Sequence, residues 1–367
     1  VLLEEAVNSY TKTYMAGNQA LGRNLDANAM RNHFYRFPGV DNDKDKTLSA
    51  MLRMAVIAQT QERYEKAPVE TDEQRAEKAA LEGLVKQLFV ELKRDFKPSD
   101  LPPYTLVKLG MHLAGTSQPE ESIAYFDEIL DPSEPDPVRK KARINGMSKY
   151  RKNAVFGKAV ALGRSKDNAK VDTAIKMMRD ELSKEESSSN PDRKAMEDAQ
   201  YNLVKFTSAR QDWPAVIAAA DKYRENKTYK KNLPEVLYLQ GEAYLKQNEL
   251  DKALINFMNI TGTYKGLVKW SAPAVLAQMD TLWKRNTMSQ GAGKQPSDRY
   301  VAWKAGSQYV QLLDTPANRK KMTAEDSALV NEVKDKTAKF GSDPAVSQER
   351  ADIAAYEAAV RAAKGQK

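Results

Sequence analysis

The sequence predicts an all-α protein, a solenoid of stacked antiparallel helix pairs that is curved or superhelical. Three observations carry this. Apolar residues recur at helical spacing along the chain, and no alternating strand pattern occurs. The breaks between periodic segments are short and polar, so consecutive helices become antiparallel neighbours. The 367 residues exceed the length of roughly 250–300 at which a single core stops growing, and stacked repeats solve that problem. More than about 60% helix is expected, well above the usual third.

Taken in order, the first element is an aromatic helix end, Phe34-Tyr35-Arg36-Phe37, with His33 before it and Pro38-Gly39 after it. From Lys46 to Tyr64 the residues Leu48, Met51, Leu52, Ala55, Val56 and Ala58 form one stripe. From Glu73 to Phe96 the stripe is Leu81, Leu84, Val85, Leu88, Phe89, Leu92 and Phe96. Two further helices run from Ala324 to Lys339 and from Val346 to Ala363, with Thr323 and Ser347 as N-caps, whose hydroxyls accept from first-turn amides.

The segment 234–267 carries the clearest pattern. Leu237, Gly241, Tyr244, Ala253 and Phe257 occupy positions 4, 8, 11, 20 and 24 of a 34-residue unit. Gly241 and Ala253 let two antiparallel helices approach closely, Tyr244 and Phe257 fill the space beside them, and Asn248 to Asp251 is a polar turn. At 103–136, Leu106, Leu109, Gly110, Leu113, Ser122, Phe126 and Ile129 fall into the same frame. At 196–229, Phe206, Ala215 and Ala219 do so, with Leu203 where glycine is expected. Asp167 to Met178 reads as a further degenerate unit.

These residues resemble the tetratricopeptide repeat (TPR). The resemblance implies a concave surface that binds peptides or partner domains through first-helix positions 2, 5, 9, 12 and 13. Those positions are Glu235, Tyr238, Glu242, Leu245 and Lys246 in the best unit, and Tyr104, Val107, Met111 and Ala114 in 103–136. In 196–229 they are Glu197, Gln200, Val204 and Thr207. The phenylalanine–proline repeat end resembles TPR proteins of the bacterial envelope, such as outer-membrane assembly lipoproteins and Tol–Pal-associated proteins. That implies a periplasmic or envelope location, with the cytoplasm as the alternative.

Charge is uneven. Residues 1–137 hold 16 Lys/Arg and 23 Asp/Glu, a net −7, and residues 138–367 hold 42 and 27, a net +15. The expected organisation is an acidic helical-pair segment over 1–137, a basic repeat-like segment over 138–290 and a C-terminal helical capping segment over 291–367, within one continuous solenoid. From Val138 to Lys166 there are ten basic residues and no acid: Arg139, Lys140, Lys141, Arg143, Lys149, Arg151, Lys152, Lys158, Arg164 and Lys166. Such a run offers a patch for nucleic acid, acidic glycan or lipid headgroups, or an ordinary solvated helix face.

Chemistry is hard to find. With no cysteine, a disulfide, a Cys-bound zinc or a thiol nucleophile is excluded. Two histidines, His33 and His112, make no metal cluster, and no run of about 18 apolar residues would cross a membrane. Gly291-Ala292-Gly293-Lys294 lacks the earlier glycine, the Ser/Thr and the preceding strand of a phosphate-binding loop. Glu4-Glu5, Glu120-Glu121 and Glu185-Glu186 diverge by about 100° on a helix and cannot face each other as acid and base. The expectation is a non-catalytic scaffold or adaptor with no metal or cofactor and a protein or peptide partner. The alternatives are a polyanion-binding module and a helical carboxylate-based glycan enzyme.

Overall fold

The computed structural model describes residues 2–20, 46–69, 71–291, 293–319 and 322–365. The fold is all-helical, about 80% helix, and no strand occurs among the described residues. The aromatic segment from His33 to Gly39 lies outside them. The chain divides into two compact units, residues 1–177 and 178–367.

The first unit contains α1 (Leu2–Ala20), α2 (Lys46–Lys66), α3 (Asp72–Asp95), α4 (Pro103–Ala114), α5 (Ile123–Leu130), α6 (Pro137–Gly146) and α7 (Arg151–Gly163). The next helix, α8 (Asn168–Glu186), runs across the boundary. Helix α3 starts where Thr71 forms a capping box: its hydroxyl accepts from the Gln74 amide and the Gln74 side chain accepts from the Thr71 amide. Val85, Phe89 and Leu92 form its buried stripe. Leu84, expected on that stripe, is 43% exposed. It precedes Val85 by one residue, about 100° around the helix.

The core of this unit gathers around α4, α5 and α7. Phe126 on α5 is fully buried. A Cβ built on Gly110 would stand 2.8 Å from its ring, and one built on Gly157 would stand 2.2 Å away. The ring therefore fits between α4 and α7 only because both positions lack a side chain.

The second unit contains α9 (Arg193–Ala209), α10 (Trp213–Glu225), α11 (Leu233–Lys246), α12 (Leu250–Thr263), α13 (Val268–Arg285), α14 (Asp298–Leu313), α15 (Pro316–Arg319), α16 (Ala324–Gly341) and α17 (Pro344–Gly365). Consecutive helices pair as the hairpins α9–α10, α11–α12 and α13–α14, and the first helices also touch one another, α9 on α11 and α11 on α13. Helix α16 packs on both α13 and α14.

The turns fix how the hairpins correspond. Gln211 and Asn248 both have positive φ, 58° and 62°. The same backbone bonds surround them: Asp212 N to Thr207 O and Glu249 N to Tyr244 O. The two turns lie 37 positions apart. The frame expected from 196–229 is therefore displaced by one residue, because the αL turn residue, not the spacing of small residues, sets it. In the corrected frame Val204 and Ala220, both fully buried, stand where α11–α12 has Gly241 and Phe257. A Cβ on Gly241 would lie 2.6 Å from the Phe257 ring. In α13–α14 the sizes are reversed: a Cβ on Gly306 would lie 2.9 Å from Met279 and 2.1 Å from Thr337 Oγ1. Each hairpin thus holds one small residue at its close approach, on either helix.

Thr323 caps α16 as expected, with Asp326 completing the box. Ser347 does not cap α17. That helix begins at Pro344, and the Asp343 carboxylate accepts from the Ala345 amide at 3.0 Å and the Val346 amide at 3.2 Å. Ser347 instead donates to the Gly341 carbonyl. Proline suits the first helical position because its missing N–H is not needed there.

Candidate functional site

The expected groove residues of α11 share one face by helical spacing. Glu235, Tyr238, Glu242 and Leu245 are half-buried and Lys246 is exposed. Their opposite face, Val236, Leu237, Gln240, Gly241 and Ala243, is buried. The corrected frame adds Asp198, Tyr201 and Lys205 on α9. An offset of 38 positions, which pairs Gln240 with Gln278 and Gly241 with Met279, adds Leu276, Asp280 and Trp283 on α13. The residues expected from the uncorrected frame fall elsewhere. Gln200, Val204 and Thr207 are buried, and Glu197 accepts from the Tyr223 hydroxyl at 2.7 Å.

Polar contacts cross between these first helices. The Tyr201 hydroxyl donates to Glu235 Oε2, and Lys205 Nζ lies 3.5 Å from Glu235 Oε1. Burial, then the Glu235 bond, pushes the Tyr201 phenol far above its usual range. On α13, Asp280 pairs with Lys336 of α16 at 2.5 Å. Between them, Tyr238 and Glu242 stand one turn apart on α11, and the Tyr238 ring tilts against Phe257 at 5.9 Å. Burial raises both groups: the phenol far above its usual value, with the Glu242 charge adding to the effect, and the Glu242 carboxyl above its usual range despite the nearby Tyr238 phenol and Lys246. Among the described residues no cationic nitrogen lies within 4.0 Å of the Glu242 carboxylate. Leu245 packs beside Tyr238 on the cluster of Leu237, Phe257 and Ile260.

The expected groove residues of α4 belong to the first unit. Tyr104 is half-buried, with Lys108 over its ring at 5.7 Å, and Met111 is 44% exposed. Val107, expected to line a groove, is 3% exposed and belongs to the core, and Ala114 is buried as well. The cause is α2 and α3, which both pack against α4. Phe89 of α3 stacks on His112 at 3.9 Å.

The basic run lies on α6, α7 and the turn between them, and much of it is spent locally. Lys140 pairs with Asp131 and Lys158 with Asp127, each at 2.6 Å. An Arg143 nitrogen lies 2.9 Å from Glu128 Oε1, an ion pair without hydrogen-bond alignment. Arg143 also donates to the Ser99 carbonyl, Arg151 to Leu130, and Arg164 to Ala114 and Thr116. These are carbonyls at helix ends or in the turns beside them, where cations are favourable. Lys149 sits over the Tyr150 ring at 4.7 Å. Arg139 and Lys141 are exposed, and Lys152 is half-buried.

The adjacent carboxylates diverge. Glu120 pairs with Lys170, Glu121 with Lys93, and Glu185 accepts from the Asp192 amide. Among the described residues no three His, Asp or Glu side chains group as metal ligands, and no helix is long and apolar enough to cross a membrane.

The sequence reading missed a cleft of about 1050 Å³ between the 286–297 loop, the start of α14 and α17. Met288, Pro296, Tyr300, Ile353 and Tyr356 line it with Lys294 and Lys304. Gly293 has φ 80° and lies under the Tyr356 ring. Arg285 anchors the loop by donating twice to buried Asp298, which also accepts from the Thr287 amide. The glycines of this loop were the available signal, but only as turn formers.

No protein-family model matches the chain, and neither a curated protein nor a solved structure matches it.

Proposed function

We propose that the protein is a non-catalytic, tetratricopeptide-like scaffold that binds a polypeptide partner on the first-helix face of residues 178–367. The observation that carries this is the row Tyr201, Glu235, Tyr238, Glu242, Leu245 and Asp280. Its members sit at equivalent positions of α9, α11 and α13, and all but exposed Asp280 are half-buried, those of α11 over the packed cluster of Leu237, Phe257 and Ile260. Aromatic and apolar side chains framed by polar groups are what partner anchoring needs. Lys246, exposed at the edge of the same face, is where a partner would pass.

A photo-crosslinking amino acid placed at Lys246 tests the reading against one placed at Ile255, which is exposed on α12. A discrete polypeptide adduct from position 246, absent from position 255 and lost with Tyr238→Ala, supports it. Equal adducts from both positions refute it. The bacterial-envelope location rests on the phenylalanine–proline repeat end alone and is tested by fractionating the source cells.

A further inference from the structure

On the first-helix row of residues 178–367, Glu235 and Asp280 are matched by a cation on the neighbouring first helix or on the helix packed beside it, while half-buried Asp198 and Glu242 have none within 4.0 Å among the described residues. Lys205 on α9 serves Glu235 on α11, and Lys336 on α16 serves Asp280 on α13. Glu242, in the middle of the row, is half-buried one turn from Tyr238 and has no ion-pair partner among the described residues. The residue equivalent to it on α9 is Lys205, already turned to Glu235, and the one on α13 is Asp280, an acid. Lys246 lies one turn away on α11 and makes no ion pair with it. A half-buried carboxylate beside Tyr238 without a counter-ion is costly, and an arriving cation recovers that cost.

From this we infer that the partner segment is cationic and seats a lysine or arginine side chain against Glu242, with the neighbouring apolar residue lying on Leu245. This rests on the scaffold reading above and specifies its occupant. Charge complementarity supports it. Four carboxylates, Asp198, Glu235, Glu242 and Asp280, outnumber the two lysines of this strip, Lys205 and Lys246, although residues 138–367 carry a net +15. An acidic or hydrophobic segment would leave Glu242 desolvated and unpaired, so the site discriminates by sign.

The test overlays the labelled full-length protein on an array of 12-residue peptides of random composition. Variants Glu242→Gln, Glu242→Lys and Tyr238→Ala are compared after circular dichroism shows native helix content. The expected result is selection of peptides with Lys or Arg beside an apolar residue. Fluorescence anisotropy on the selected peptides should show about a tenfold weakening with Glu242→Gln, and Glu242→Lys should shift selection towards acidic peptides. Basic peptides that bind wild type and Glu242→Gln equally overturn the inference, since the attraction is then diffuse. Selection of acidic or neutral peptides lost with Tyr238→Ala also overturns it while the scaffold reading stands. If no selected peptide depends on Tyr238 or Glu242, both readings fall.

Discussion

The close approach of α11 and α12 makes a quantitative prediction. Phe257 is fully buried, and a Cβ at position 241 would lie 2.6 Å from its Cε1 and 2.9 Å from its Cζ. Carbon atoms prefer about 3.5–4.0 Å. The ring has Leu237, Ile260 and Ala274 in the same cluster and Tyr238 at 5.9 Å, so it has little room to turn. Gly241→Val therefore overpacks the pair and should cost about 3 kcal/mol, the upper end of such insertions. Phe257→Ala alone leaves a cavity and should cost about 3–5 kcal/mol. The double variant recreates the Val204 and Ala220 pair that α9–α10 uses at the same place. It should lose at least about 2 kcal/mol less than the sum of the single losses, a coupling within the range seen for touching residues. Urea denaturation of the four proteins, followed by helical circular dichroism, gives the cycle. Additivity within about 0.5 kcal/mol would refute the claim that Gly241 and Phe257 set this helix separation.

Burial against Phe89, with Lys86 adding a smaller push, holds the His112 imidazole below its usual 6.5. The unfolded chain then binds the proton more readily, so this contribution is complete above about pH 6.5 and is lost as pH falls through the folded value. His112→Gln should make the melting temperature less sensitive to pH between about 7 and 5, and an unchanged pH profile would count against a buried imidazole. Arg143→Gln strips the counter-ion from Glu128, which is 5% exposed, and should cost about 2–3 kcal/mol by chemical denaturation. Arg139→Gln and Lys141→Gln, on exposed side chains, should each stay within about 0.5 kcal/mol. Gln211, at φ 58°, should be stabilised by Gly substitution by about 1 kcal/mol. Asn248→Gly should gain less, because asparagine tolerates that backbone better.

The sequence by itself determined the helices and their buried faces. Helical periodicity is local, so Leu106, Leu109 and Phe126, or Leu237, Gly241 and Phe257, could be assigned to the core without knowing their neighbours, and they are buried. Thr323 as a cap was legible for the same reason. Which neighbour covers a face is not local, and tertiary structure decided it. Val107 and Tyr238 take equivalent positions, yet α2 and α3 both lie against α4, where the first is buried, while the second remains half-open. The frame of α9–α10 depended on one αL turn residue at Gln211, because a large–small swap at Val204 and Ala220 had erased the composition signal. The pairing of Asp280 with Lys336, and the lack of any such cation beside Glu242, join residues from different hairpins. No spacing within one repeat encodes them, since ion pairs depend on distances of a few ångströms set only when the helices stack.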